Sequence, residues 1–164
     1  MRTCLALALL LAGSAGGAAE PAPATSIRVD KSERKLYVYA GDSIVATYGV
    51  ALGIHPLGHK QREGDKRTPE GRYVLDYKNA ASAYHRSIHI SYPSATDKAA
   101  ARRRGVAPGG AIMIHGQPND PQVRMRVRLY PFRDWTDGCI ALSDRDMDAL
   151  WKRVRVPIPI EITP

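Results

Sequence analysis

The sequence reads Trp135-Thr136-Asp137-Gly138-Cys139-Ile140-Ala141-Leu142 around the second of its two cysteines, and His115-Gly116 lies 24 residues upstream of that thiol. A cysteine next to glycine, accompanied by a histidine, is a candidate nucleophile with its base. The alternative is a buried, inert side chain, because free cysteine is among the most buried residue types. The compartment bears on the choice, since a lone thiol is a liability where conditions are oxidising.

The first 19 residues have the pattern of an export signal. Arg2 precedes an unbroken Leu/Ala run over residues 5–12. The small residues that follow end at Ala18-Ala19, where a signal peptidase is expected to cut. The apolar run is too short to span a bilayer. An uncleaved N-terminal anchor is the alternative.

Removal of residues 1–19 leaves Cys139 as the one cysteine of the exported chain, because Cys4 lies before the apolar run and leaves with it. The position of Cys4 also does not fit a lipoprotein attachment site. Residues 20–25 then form a linker, and 26–164 form one domain large enough for a proper core. No later segment has transmembrane length. We therefore expect a protein of the periplasm or cell wall.

The charge balance is basic, with 24 Lys and Arg against 16 Asp and Glu and a net charge of +8. Such a balance suits an anionic cell envelope. Nucleic acid is a poor alternative, because the two basic clusters lack the interleaved aromatic side chains of a stacking platform. These clusters are Arg102 to Arg104 and the alternating Arg124, Arg126 and Arg128. We interpret both as solvated faces or edge-strand charges.

Most of the chain reads as β-structure, because short runs of β-branched and aromatic residues alternate with polar ones. The predicted strands are residues 27–30, 35–39, 43–50, 71–77, 87–92, 111–114 and 156–162. Pro157 and Pro159 predict that the last of these is an edge strand or the strand that closes a sheet.

Two helices are predicted, over 94–104 and 143–154, each opening at a serine that can cap it. Met147, Leu150, Trp151 and Val154 fall at helical spacing and are read as core packing rather than a ligand site. The predicted fold is thus mainly β, a twisted β-sandwich with two short helices.

Two motifs now carry a resemblance to the L,D-transpeptidase catalytic domain of the YkuD type. His115-Gly116 matches the family's His motif, and the cysteine motif is matched at Thr136, Gly138, Cys139 and Ile140. Upstream, residues 64–73 are similar to the family's Thr-Pro-x-Gly turn and its following strand, and 51–53 to the end of the preceding strand. The similarity covers roughly residues 26–162.

Two positions depart from the family's pattern. Asp137 stands where the family has a second His, and Ala141 where it has Asn or Arg. A carboxylate aimed at the thiol raises the pKa of that thiol. We expect Asp137 to turn toward the loop instead, bonded to backbone or to a basic side chain. The sequence is nearest to a branch that itself has Trp-Thr-Asp-Gly-Cys-Ile-Ala, which leaves open bond cleavage rather than cross-linking.

The resemblance implies acyl transfer without metal or organic cofactor. Cys139 attacks a peptide carbonyl and His115 shuttles the proton, with its other ring nitrogen held by the Gly116 carbonyl. The backbone N–H groups of Gly138 and Cys139 are candidate oxyanion donors. His89, Tyr92, Thr136 and Asp137 are candidate substrate-binding residues.

The remaining histidines are spaced four apart, as His55 and His59 and as His85 and His89. That spacing is typical of zinc ligands on a helix. Glycine and proline argue against a helix around the first pair, and the second lies in or beside a strand. We therefore expect no metal site, with His55 and His59 in a surface loop.

The first hypothesis is a cysteine L,D-transpeptidase acting on peptidoglycan stem peptides. The second is a hydrolase that forms the same acyl-enzyme and uses water as acceptor, an L,D-carboxypeptidase or an amidase-like enzyme. The third is a non-catalytic wall-binding module, which has no use for a thiol and a base. We expect a monomer.

Overall fold

The computed structural model describes residues 22–129 and 134–164. The predicted export signal over 1–19 and the first residues of the predicted linker lie outside the described residues. Within the described part, no helix combines the length and the apolar character needed to cross a membrane.

The described residues form one eight-stranded sheet, in the order β3-β2-β1-β8-β4-β5-β6-β7. The strands are β1 (Ser26–Asp30), β2 (Lys35–Ala40), β3 (Ser43–Gly49), β4 (Gly71–Asn79), β5 (Ser87–Ile90), β6 (Met113–His115), β7 (Ile140–Ala141) and β8 (Ile158–Thr163). Neighbours are antiparallel except β1 with β8 and β6 with β7. The prediction of a mainly β fold is confirmed.

β8 lies inside the sheet, between β1 and β4. Of the two predicted positions, an edge strand or the strand that closes a sheet, the edge position is wrong. Pro157 precedes the strand. Pro159 pairs with Val74 of β4 and comes one residue before the pairing with β1 begins at Ile160. The missing N–H of Pro159 therefore falls where β8 has no β1 partner, and a proline is tolerated.

The core lies on the apolar face that strand alternation creates. Val29, Leu36, Val38 and Ile160 are almost fully buried, as expected for side chains that repeat every two residues along a strand. Met147, Leu150 and Val154 of the C-terminal region join the same core, with Trp151 at its edge. The prediction that this helical stripe packs in the core is confirmed.

Three helices occur in the described residues: α1 (Ala95–Arg103), α2 (Pro121–Arg128) and α3 (Asp144–Arg153). Ser94 and Asp97 form a capping box at α1, and Ser143 caps α3 by accepting the Asp146 N–H. These are the two predicted helices.

α2 is the helix that the sequence analysis missed, so its alternating arginines do not lie on an edge strand. Its start has a readable signal in Asp120 followed by Pro121, a capping side chain and then a proline at the first helical position. Arginines at every second position suggested a strand, and no apolar stripe at helical spacing indicated a helix instead.

A buried ion pair attaches the irregular segment after β3 to the sheet. The Lys31 ammonium, with 3% of its side chain exposed, lies 2.6 Å from Glu70 Oε1. It also donates to the carbonyls of Gly58 and Thr68 at 2.9 and 3.3 Å. One lysine thus ties the middle of this loop, at Gly58, and its C-terminal end, at Thr68 and Glu70, to the residue that follows β1.

Lys31→Ala is expected to lower the free energy of unfolding by about 3 kcal/mol, because it leaves Glu70 and two carbonyls without their buried donor. Urea denaturation measures the loss. Lys35→Ala removes an exposed lysine from β2 and is the matched control, with a change within about 0.5 kcal/mol. Equal stability of the two variants would contradict the role given to Lys31.

Candidate active site

The parallel pair β6 and β7 sets the position of the thiol relative to the histidine. Ile114 pairs with Ile140 and His115 with Ala141, so the register extended by one residue sets Met113 opposite Cys139. Cys139 Sγ accepts the Met113 N–H at 3.4 Å and donates to Ala111 O at 3.7 Å. Because side chains two residues apart share a strand face, this register places Cys139 and His115 on the same side of the sheet.

His115 is held in one tautomer. Its Nδ1 lies 2.7 Å from Gly116 O, and because a carbonyl only accepts, Nδ1 carries the proton and Nε2 keeps its lone pair. The ring packs 4.3 Å from Tyr84 and 5.7 Å from Trp135, centroid to centroid. Burial lowers the pKa of His115, and the Gly116 carbonyl opposes that shift. The result is a neutral base at neutral pH.

A threonine shapes the loop that presents the thiol. Thr136 Oγ1 accepts the Gly138 N–H at 3.1 Å and donates to Cys139 O at 2.7 Å. Thr136 is 4% exposed, so it supports the loop and does not offer a surface to substrate, contrary to the prediction. The Gly138 N–H, predicted as an oxyanion donor, is already bonded. Among the described residues the Cys139 N–H has no acceptor, which leaves it available.

Only glycine fits at position 138. Its φ is +127°, a conformation that side chains disfavour. A Cβ there would lie 2.6 Å from the Arg67 carbonyl oxygen. The loop that carries Cys139 is therefore pressed against the 61–67 segment, and this close approach fixes the position of the thiol.

The thiol is half-buried, and burial raises its pKa. The hydrogen bond from the Met113 N–H lowers the pKa of the thiol. The negative charge of Asp137 raises that pKa by a smaller amount, and the positive charge of Lys60 lowers it slightly. The Asp137 side chain is 85% exposed and lies 3.8 Å from the Lys66 ammonium. This geometry agrees with the expectation that Asp137 turns away from the thiol and pairs with a basic side chain.

Asp137→Asn is expected to lower the apparent pKa of the Cys139 thiol by well under one unit, because solvent screens an exposed carboxylate. The rate of iodoacetamide alkylation against pH measures it. Asp42→Asn, at an exposed turn far along the chain, is the control. A fall of a full unit or more would show that the carboxylate acts directly on the nucleophile.

Asp144 holds the backbone that orients the histidine, and the sequence analysis missed it. Its Oδ1 accepts the Gln117 N–H at 2.7 Å, and its Oδ2 lies 2.5 Å from Arg124 Nη2. Gly116 packs so closely that a Cβ would meet His85 O at 2.5 Å and Asp144 Oδ1 at 2.8 Å. The contact joins α2, α3 and the His115 loop, so no local motif in the sequence reveals it.

Asp144→Ala is expected to reduce turnover about tenfold, since a loosened Gly116–Gln117 backbone no longer fixes the imidazole. Asp144→Asn keeps an acceptor for the Gln117 N–H and should recover most of the activity. Asp146→Ala, on the same helix, is the control. If Asp144→Ala loses stability and turnover in proportion, and Asn rescues neither, Asp144 does not position His115.

Two other predicted substrate-binding residues are placed differently. Tyr92 is 3% exposed; its hydroxyl donates to Pro108 O at 3.0 Å and its ring packs on Tyr73. It is a core residue, and the prediction of substrate contact is wrong. His89 pairs with Met113 across the sheet, but its Nδ1 is bound to Asp76 Oδ1 at 2.7 Å and its ring stacks on Tyr77.

The remaining histidines have structural partners. His55 is exposed, with Nδ1 3.1 Å from Asp65 O. His59 lies in the predicted loop with 32% of its side chain exposed, and it bridges the Glu70 N–H and the Asp97 carboxylate. Throughout 22–129 and 134–164, no three His, Cys, Asp or Glu side chains converge in a way that would hold a metal ion.

Known proteins share this architecture. A family model, the YkuD L,D-transpeptidase catalytic domain, matches residues 24–162. The Escherichia coli (strain K12) protein named "Putative L,D-transpeptidase YafK" is 34% identical over 96 residues, which cover 55% of this chain and 37% of that protein. The aligned part is thus little more than a third of that relative's length.

Three solved structures have the same fold. The helical cell shape determining protein Pgp2 of Campylobacter jejuni has a TM-score of 0.61 and 22% identity, covering 89% of this chain and 51% of its own. Bd1075 of Bdellovibrio bacteriovorus has a TM-score of 0.57 and 25% identity, and the match covers 89% of this chain and 50% of Bd1075. The L,D-transpeptidase of Xylanimonas cellulosilytica has a TM-score of 0.57 and 14% identity, and the match covers 87% of this chain and 61% of the solved one.

Proposed function

This chain belongs to the YkuD family of L,D-transpeptidase catalytic domains, and from that membership we propose that it is a cysteine acyl transferase acting on peptidoglycan stem peptides. The observation that supports the proposal is the β6–β7 register, which puts a free thiol and a histidine with a single tautomer on the same face of adjacent strands. A wall-binding module has no need of either group in that arrangement. The family acts on peptidoglycan outside the cytoplasm, which agrees with the export signal that we propose for residues 1–19.

The first half-reaction forms an acyl-enzyme. His115 Nε2 takes the Cys139 proton as Sγ attacks the carbonyl carbon of the bond before the terminal D-residue. The oxygen of the tetrahedral intermediate accepts the Cys139 N–H, the donor that remains available in the nucleophile loop. The C–N bond then breaks, and the proton on His115 passes to the departing amine. The thioester on Cys139 and a free D-residue result.

The second half-reaction releases the acyl group. His115 takes a proton from the incoming amine as its nitrogen attacks the thioester, and the thiolate leaves and recovers that proton. An amine gives a new peptide bond, and water gives a shortened stem peptide. The same residues serve both acceptors, so the choice is set by which acceptor reaches the thioester first.

Incubation of the protein with defined disaccharide-tetrapeptides, with and without an amine acceptor, tests this proposal. Mass spectrometry should detect loss of the terminal D-residue and an acyl adduct on Cys139. A cross-linked product identifies transfer, and a tripeptide alone identifies hydrolysis. Absence of both product and adduct, in protein whose thiol still reacts with iodoacetamide, would refute the proposed chemistry.

A further inference from the structure

A basic cavity lies beside the loop that carries the thiol. It has a volume of about 510 Å³. Its lining includes Arg62, Arg67, Arg104, His55, Asp65 and Val106. We call it the arginine pocket. Three arginines that line one open cavity give it a positive potential, which attracts anions.

The positive charge of the arginine pocket is not compensated from within. In the part of the chain that the structure describes, none of its three arginines has a carboxylate oxygen within 4.0 Å. Asp65 does line the pocket, but its carboxylate is taken by the Lys60 ammonium at 2.9 Å and by backbone N–H groups.

The Asp65 carboxylate stays with these partners at working pH. Burial alone would raise its pKa, but hydrogen bonds led by the Gln61 N–H and the Lys60 ammonium lower it to about 2. Its oxygens therefore serve to shape the 61–67 segment and not to neutralise the guanidinium groups. The pocket retains an excess of positive charge.

One wall of the arginine pocket touches the loop that carries Cys139. The Arg67 carbonyl oxygen lies 2.6 Å from where a Cβ of Gly138 would be. The other wall contains Arg104 and Val106, and further along the same connection the Ala111 carbonyl is 3.7 Å from Cys139 Sγ. The Glu63 N–H joins the walls by donating to Ala107 O at 2.8 Å. The arginine pocket therefore lies beside the loop on which the proposed acyl group would form.

We propose that the arginine pocket binds a free carboxylate of the peptide substrate and thereby selects stem peptides that carry one beside the scissile bond. The inference rests on the proposed function. A carboxylate matches the planar fork of a guanidinium, which can donate two parallel hydrogen bonds to it. An exposed lysine cluster would attract the same charge without that geometric selection.

Binding is measured by isothermal titration in the Cys139→Ala background, which removes turnover. The probes are a tetrapeptide with free carboxylates, the same peptide with every carboxylate amidated, and inorganic phosphate. Arg62→Gln/Arg104→Gln is expected to weaken binding of the free acid at least about tenfold and to leave the amide unchanged. Arg102→Gln/Arg103→Gln removes two exposed charges that do not line the pocket and is the matched control.

The outcomes separate this inference from the proposed function. If the free-acid peptide binds more tightly than the amide, and this preference is lost in Arg62→Gln/Arg104→Gln, the pocket is supported. That holds even if the wild-type protein shows no turnover, which would refute the proposed function but not the pocket. Equal binding of acid and amide, or equal losses in both double variants, overturns the pocket. Binding of phosphate but not of the acid peptide through these arginines also overturns it.

Discussion

Cys139→Ala is expected to abolish turnover of muropeptides and the acyl adduct while leaving the fold intact. No other thiol occurs in the described residues, so nothing replaces the nucleophile. The side chain is small and half-buried, and its Sγ makes only two weak hydrogen bonds, so its loss creates little cavity. Intact-mass analysis measures the adduct, and the urea midpoint checks the fold.

Cys139→Ser is the control for that variant, because it keeps the shape and replaces the thiol by a far poorer nucleophile. We expect a folded protein with only trace activity. Wild-type turnover in either variant would show that the reaction does not pass through Cys139, and the family resemblance would then indicate fold without this chemistry.

His115→Ala is expected to reduce kcat/KM about a hundredfold or more, the usual contribution of a general base. His115→Gln fills more of the space between Tyr84 and Trp135 and should lose as much activity with less loss of stability. The comparison separates the lost base from the cavity that alanine leaves. Activity in both variants near that of the wild type would remove His115 from the mechanism.

The pH dependence of kcat/KM gives the same assignment a second test. His115 acts only when neutral, and burial lowers its pKa below the ordinary value of 6.5. Activity should therefore persist into mildly acidic buffer and fall only below pH 6.5, as the imidazole takes up a proton. If activity instead falls with a midpoint above pH 6.5, the pKa of the catalytic base is not lowered, and His115 in this buried position is not that base.

The residues that carry local signals were predictable from the sequence. The His115-Gly116 and Thr136-to-Ile140 motifs led to the family, and alternation along the strands led to a mainly β fold. These features depend on neighbours within a few positions, which a sequence displays directly.

The errors concern properties set by distant parts of the chain. Tyr92 is polar enough to line a cleft, but Tyr73 and Pro108 bury it. The Gly138 N–H donates to the hydroxyl of Thr136, two residues away. This hydrogen bond forms only because the loop folds back on itself, so the sequence does not reveal it. Asp144 and the arginine pocket combine segments far apart in sequence, so only the tertiary structure assembles them.

The position of β8 has a consequence for how this protein becomes folded. Residues 158–163 come last in chain order among the eight described strands, yet they lie between β1 and β4 and join the two halves of the sheet. Neither half can reach its partner before those residues are available, and the contacts that do so span most of the chain. Pairing between residues so far apart in the chain makes folding slow. Before β8 docks, the sheet therefore consists of two separate groups, β1 to β3 and β4 to β7, whose facing edge strands have unpaired backbone groups.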